Sequence, residues 1–203
     1  MQHGSVWRAW SLMTLLLAVT SCAGDSGSVV GPPIDGFAPG IILEARGDLE
    51  ETLVFSDELA VFLKTPRAAA NAGWAIEGLQ QDQDGSMDWL VSVGRGTAGV
   101  GDWEFIQPEP GEEWENEERD VLANLQVGTA WLVLNRSGEE GALSLLSVSG
   151  TLEVVKTSAD WAAGYISVSL IEQDFETGSI PEDPRQATLQ GTFNIRYSTM
   201  GEG

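Results

Sequence analysis

The stretch ATLQGTFNIRY, residues 187–197, shows the clearest alternation of apolar and polar side chains in the chain. Its polar members, Thr, Gln, Asn and Arg, fall on one face of an extended backbone. A repeat of two residues is the period of a β-strand with one buried and one wet side. The opposite, apolar face takes Leu189, Gly191, Phe193, Ile195 and Tyr197. The chain is therefore predicted to close with an amphipathic strand.

Two similar strands are predicted immediately upstream. Residues 165–171 alternate in the same way and place Ile166, Val168 and Leu170 inward, and residues 151–156 form the earlier strand. Turn-rich segments separate the three strands, at residues 160–164 and 174–185. Three short strands joined in this way predict an antiparallel meander.

Shorter runs predict the rest of the sheet. The 129–135 run is apolar on both faces, as in a central strand, and Trp131 is expected in the core. Residues 65–73 begin with Thr-Pro and end in Gly, which predicts one short helix near 66–72. About nine strands with Gly-rich turns predict an all-β protein, an antiparallel sandwich or a flattened barrel. The remaining predicted strands lie near residues 41–46, 60–64, 74–79, 89–93 and 142–148.

The first 21 residues have the features of an export signal. They contain Arg8 but no acid, and an apolar run of eight residues at 12–19 precedes Cys22. This run is far too short to span a bilayer, which takes ~20 residues. Residues 1–21 are therefore predicted to be a cleaved signal peptide.

The end of this signal, Val19-Thr20-Ser21-Cys22, resembles the lipobox of bacterial lipoproteins. The resemblance implies that Cys22, the only Cys of the chain, receives a diacylglycerol thioether and becomes the mature N-terminus. Acyl chains would then hold the protein on a membrane. An ordinary secretory signal, with Cys22 there by chance, is the alternative. In Gram-negative lipoproteins an Asp after the Cys favours the inner membrane, so Ala23 implies the outer membrane.

The expected domain organisation follows from composition. Residues 22–40 include five Gly and three Pro, which predicts a lipidated Cys followed by a flexible tether. An arm lying on the protein surface is the alternative at the Phe37 end. Residues 41–200 are predicted to form a single β domain. Within that domain, SGTLEV (149–154), GYISV (164–168) and GTFNI (191–195) resemble the last strands of uncharacterised all-β domains of bacterial lipoproteins, a resemblance that implies no activity.

The composition excludes several functions. The chain has 10 Lys and Arg against 31 Asp and Glu, a net charge of −21, which excludes a basic surface for nucleic acid. Its single His, His3, falls in the signal. The mature chain therefore has no Ser-His-Asp triad, Cys–His pair, His or Cys zinc site, or internal disulfide.

A calcium loop is the sharper of two candidate cation sites. Asp82, Asp84 and Asp88 alternate with other residues around Gly85, a spacing that offers oxygen ligands to calcium. The bidentate Glu of an EF-hand is absent. A plain polar hairpin is therefore the alternative.

An acidic segment, residues 109–120, is the second candidate. Its carboxylates surround an indole and suit a divalent cation or a cationic ligand, although such charge runs are more often solvated loops. A Trp in polar surroundings can also stack on sugar rings. The candidate ligand-binding residues are Trp114, Trp161, Glu112, Glu113 and Glu115.

The sequence thus favours a lipid-anchored, non-enzymatic binding or structural module of the cell envelope, with a protein or glycan partner that it does not identify. A calcium-dependent ligand or carbohydrate binder is one alternative. A carboxylate-based glycosidase is another, since that chemistry needs two acids and no His. With 31 acids in the chain, however, acid pairs arise by chance.

Overall fold

The computed structural model describes residues 31–64, 74–81, 87–95, 100–107, 129–136, 142–174, 177 and 179–199. Within these ranges the chain forms ten β-strands and no helix, which confirms the predicted all-β class. The helix predicted near 66–72 lies outside the described residues. The strands are β1 Gly40–Gly47, β2 Glu51–Phe55, β3 Ala60–Lys64, β4 Trp74–Gln81, β5 Met87–Arg95, β6 Gly101–Phe105, β7 Thr129–Arg136, β8 Leu143–Thr157, β9 Trp161–Gln173 and β10 Gln186–Thr199.

All ten strands belong to one hydrogen-bonded sheet that is nearly closed and barrel-like. One edge of β10 pairs with β9, and its other edge pairs first with β1 and then with β3. From β3 the pairing continues through β4, β5, β7 and β8 back to β9. β6 pairs with both β7 and β8, and β2 extends the sheet beyond β1. Two of these pairings, β3 with β10 and β6 with β7, are parallel.

The predicted C-terminal meander is confirmed as β8, β9 and β10, which pair antiparallel in chain order. The strands predicted at 142–148 and 151–156 are, however, one continuous strand of 15 residues. Gly150 lies between them with φ of +133°, a conformation that L side chains rarely adopt. The strand therefore bends at Gly150, beside a register shift, and does not end there.

Two strands were not predicted, β2 and β6, each five residues long. In β2, Leu53 and Phe55 are buried, but the intervening Val54 is an exposed apolar residue. Because the solvent-facing Val54 is apolar, the alternation of apolar and polar residues that marks a strand is not visible in the sequence of β2. In β6 the alternation of Trp103 and Phe105 covers too few residues to stand out.

The inward faces of the strands fill the interior. The predicted inward residues of β9 are all buried, and the buried core also includes the large side chains of Trp89, Phe55 and Phe193. Trp131 departs from the prediction because it is only half-buried, on the outer face of β7. Its indole lies against Gly94 of the neighbouring strand, where a Cβ would overlap it.

Gly164 marks the tightest approach between the long strands. A Cβ at this position would overlap the carbonyl oxygen of Glu153 and lie 2.9 Å from Cζ of Phe193. We expect Gly164→Ala to destabilise the protein by about 3 kcal/mol, since backbone cannot move aside as a flexible side chain can. Urea unfolding followed by Trp fluorescence measures the change. The control Ser167→Ala, at an exposed position of the same strand, should stay within about 0.5 kcal/mol.

An ion pair joins the end of β9 to the start of β10. Arg185 donates from Nη2 and Nε to the two carboxylate oxygens of Glu172, at 2.7 and 2.9 Å. The side-chain hydrogen bond from Arg185 holds the pKa of Glu172 below its usual value of 4.5. Arg185 is half-exposed, so solvent screens the pair, and its contribution should not exceed about 1 kcal/mol.

The pH dependence of this pair has a defined sign. Because the pKa of Glu172 is lower in the folded protein, the stabilisation is complete above the unfolded pKa and is lost as pH falls through the folded pKa. We therefore expect Glu172→Gln to lower the melting temperature at pH 7, by an amount that shrinks below about pH 4.5. Glu182→Gln, an exposed carboxylate in the same connection, is the control. An equal effect of Glu172→Gln at pH 7 and pH 3 would contradict the assignment.

Candidate functional site

The segment before β1 lies on the outside of the sheet, and we call residues 31–39 the strap. Its Ile34 is buried together with Trp161 and Ala163 of β9 in a small cluster separate from the main core. Phe37 packs on this cluster, and its ring centroid lies 5.3 Å from that of Tyr165. The strap thus covers the outer face of β9 at the beginning of that strand.

The carboxamide of Asn194 holds the middle of the strap. It accepts a hydrogen bond from the Ile34 amide at 3.3 Å, and it donates to the carbonyl oxygens of Ile34 and Phe37, both at 3.0 Å. Asn194 is fully buried although alternation places it on the outer face of β10. The expectation that this residue faces solvent is wrong because the strap covers it.

The start of the strap is held by the turn between β8 and β9. Trp161 donates from Nε1 to the carbonyl oxygen of Gly31 at 2.8 Å, and the Gly31 amide donates to Oδ2 of Asp160 at 2.9 Å. The guanidinium of Arg196 lies 5.3 Å from the centroid of the Trp161 ring. The indole is thus fixed at its edge and also contacted over its face.

Trp161 is a candidate ligand-binding residue in the sequence because its polar surroundings suggest an exposed indole, and this premise of exposure is wrong. The residue begins β9 and is only 1% exposed. The polar neighbours that suggested a loop, Ser158 and Asp160, form the turn that positions it: Ser158 Oγ accepts a hydrogen bond from the Trp161 amide at 3.0 Å. Trp161 therefore acts within the protein, as an anchor for the strap.

The strap corresponds to the alternative of a surface arm at the Phe37 end of residues 22–40. Residues 22–30 lie outside the described residues, so the tether expected there stays a prediction, as does lipidation of Cys22. The pattern gave no signal for the docking. The segment has few apolar residues, and its hydrogen-bond partners are 129 to 160 positions away in the sequence.

Asp88 is the one candidate calcium ligand within the described residues. Its Oδ2 accepts from Nε2 of Gln80 at 3.3 Å, and its Oδ1 lies 3.4 Å from Nε of Arg136. The Asp88 side chain is 14% exposed, so this charge is already compensated inside the protein. Among the described residues, no three His, Cys, Asp or Glu side chains are grouped so that they could hold a metal ion.

The other candidate residues fall outside the described ranges. They are Asp82, Asp84, Glu112, Glu113, Trp114 and Glu115, and their roles stay predictions. Two of the surface depressions in the described part of the chain lie near β10. One contains a single carboxylate, that of Asp48, and the other is lined by residues that include Arg46, Ser169, Gln186 and Thr188 but no carboxylate. Neither depression holds the acid pair that glycoside hydrolysis requires.

The hydrogen bonds of Asn194 to the strap should contribute measurably to the stability of the protein. Asn194→Ala removes one acceptor and the donors to two carbonyls, so we expect a loss of about 2 kcal/mol in the free energy of unfolding. Cleavage of the strap by a nonspecific protease should also accelerate, as shown by intact-mass analysis. Gln190→Ala, at an exposed position on the same face of β10, should leave both measurements unchanged. Unaltered protease resistance in Asn194→Ala would show that the carboxamide does not hold the strap.

No protein family, curated protein or solved structure matches this chain. Among the described residues, no helix has the length and apolar character needed to cross a membrane. Its function therefore has to be argued from the chain's own residues. The features that bear on it are the predicted signal with Cys22, the filled β domain and the docked strap.

Proposed function

We propose that this protein is a lipid-anchored component of the cell envelope whose β domain is a non-enzymatic binding or structural module. One observation carries the proposal: the only Cys of the chain stands at the end of Val19-Thr20-Ser21-Cys22, directly after the apolar run of the signal. A thiol at this position is the acceptor that lipoprotein maturation requires. Two or more acyl chains give stable attachment where a single chain gives marginal attachment.

The β domain fits a role carried out on its surface. The closed circuit of strand pairing favours a flattened barrel over a sandwich of two separate sheets. Its interior is occupied by side chains such as Trp89, Phe55 and Phe193, as in small barrels that are packed cores. A partner would accordingly meet the outer faces or the loops. This arrangement is typical of a binding or structural module.

Charge supports attachment through the acyl chains alone. After removal of the signal, 9 Lys and Arg stand against 31 Asp and Glu, a net charge of −22. Such a surface is repelled by anionic lipid headgroups, so the protein surface adds no general affinity for the bilayer. In a host with two membranes, Ala23 after the acylated Cys22 favours the outer membrane as the destination.

The two alternative functions have less support. A calcium-dependent binder would use Asp82, Asp84 and Asp88, but Asp88 is engaged by Gln80 and Arg136. A carboxylate-based glycosidase needs two acids facing one cleft, and neither of the two depressions beside β10 provides them. We therefore propose neither.

Replacement of the acceptor thiol tests the anchor. In cells fed an alkyne fatty acid, we expect the wild-type protein to be labelled and to sediment with membranes, and Cys22→Ala to lose both properties. Ser21→Ala keeps a small residue before the Cys and is the matched control, with labelling retained. Mass spectrometry of the mature N-terminus should find a diacylglycerol thioether on Cys22. An unmodified thiol, or a retained leader, would overturn the proposal.

A further inference from the structure

The strap enters the domain at one particular end of the sheet. Gly31 is bonded to Asp160 and Trp161, in the turn that joins the end of β8 to the start of β9. The last residues of β3, β5 and β10 lie at this same end, because β3 runs parallel to β10 and β5 pairs antiparallel with β4. We call it the strap end. The opposite end contains the β1–β2 and β9–β10 connections, at 48–50 and 174–185.

The docked strap shortens the connection to Cys22. Gly31 follows Cys22 by nine residues, which span at most ~30 Å when fully extended. Without docking, the free connection would extend to β1 at Gly40 and comprise 18 residues, which reach ~60 Å. β9 alone has 13 residues, so the two ends of the sheet are ~40 Å apart. The reach of a nine-residue connection, ~30 Å, is shorter than the ~40 Å between the two ends. A membrane that holds Cys22 is therefore more accessible to the strap end than to the opposite end.

We infer that the strap end of the domain is a membrane-facing surface, held toward the lipid bilayer by the docked strap while the opposite end points away. This inference rests on the proposed lipid anchor at Cys22. The short connection limits which end of the domain can approach the bilayer. Asn194 and Trp161 are the positioning residues, because their hydrogen bonds keep the strap docked.

Energy transfer to the bilayer tests this orientation. The acylated full chain is labelled with a donor dye at Ala159→Cys, in the strap-end turn, or at Glu182→Cys, in an exposed connection at the opposite end. It is reconstituted in vesicles of phosphatidylethanolamine and phosphatidylglycerol that contain an acceptor-labelled headgroup. We expect transfer from position 159 to exceed that from position 182 by about twofold or more, because ~40 Å separates the ends.

Strap variants then test the cause of the orientation. Asn194→Ala and Trp161→Phe, each made with both labels, should reduce the difference in transfer because the connection lengthens when the strap detaches. Trp161→Phe keeps an aromatic ring in the cluster and removes the bond to Gly31, so it tests the strap even if Asn194→Ala folds poorly. Gln190→Ala should leave the difference intact.

Vesicle flotation separates failure of this inference from failure of the anchor. A protein that does not float with the vesicles overturns the lipid anchor, and the membrane-facing surface with it. A protein that floats but shows equal transfer from positions 159 and 182 overturns the membrane-facing surface alone. A twofold difference that survives both strap variants would overturn the role of the strap.

Discussion

The structure depends on the pairing of β10 along both of its edges. β9 occupies one edge over 11 residue pairs, while β1 and then β3 share the other. An amphipathic strand with an open edge would present unpaired amides and carbonyls to other chains. Here the last strand joins the two ends of the pairing circuit, so the core is enclosed once β10 is in place. The first and third strands therefore find their positions on the last segment of the chain, at high sequence separation.

The two faces of β10 also connect the core to the strap. Phe193 and Ile195 point into the core, and Asn194 between them points outward. The outward carboxamide accepts a hydrogen bond from the Ile34 amide and donates one to the Ile34 carbonyl oxygen, as the backbone of a neighbouring strand would. A buried carboxamide is costly unless bonded, so the strap and Asn194 stabilise each other. These hydrogen bonds thus fix the position of the strap on the domain.

Structural features that depend only on neighbouring residues are those that the sequence predicts best. Alternation in residues 165–171 and 187–197 is a local property, and it correctly predicted β9 and β10. It also correctly predicted the buried Ile166, Val168, Leu170, Leu189, Phe193 and Ile195. Alternation failed for Asn194, and the polar neighbours of Trp161 wrongly suggested an exposed loop. In both cases a distant segment covers the side chain, and the local sequence contains no information on that contact. The prediction that Trp131 lies in the core failed for a related reason. Its half-buried position depends on the bare backbone of Gly94 in a neighbouring strand.

Lipid attachment and the strap would have separate tasks in the proposed orientation. Acyl chains contribute ~0.8 kcal/mol for each buried methylene, so they decide whether the protein stays on the membrane. The net negative charge of the chain disfavours close contact with anionic headgroups and cannot hold the protein there. The length of the connection decides which end of the domain faces the bilayer, since nine residues reach ~30 Å whereas 18 would reach ~60 Å. The hydrogen bonds of Asn194 keep the strap docked, and they thereby couple a buried contact to the placement of the whole domain.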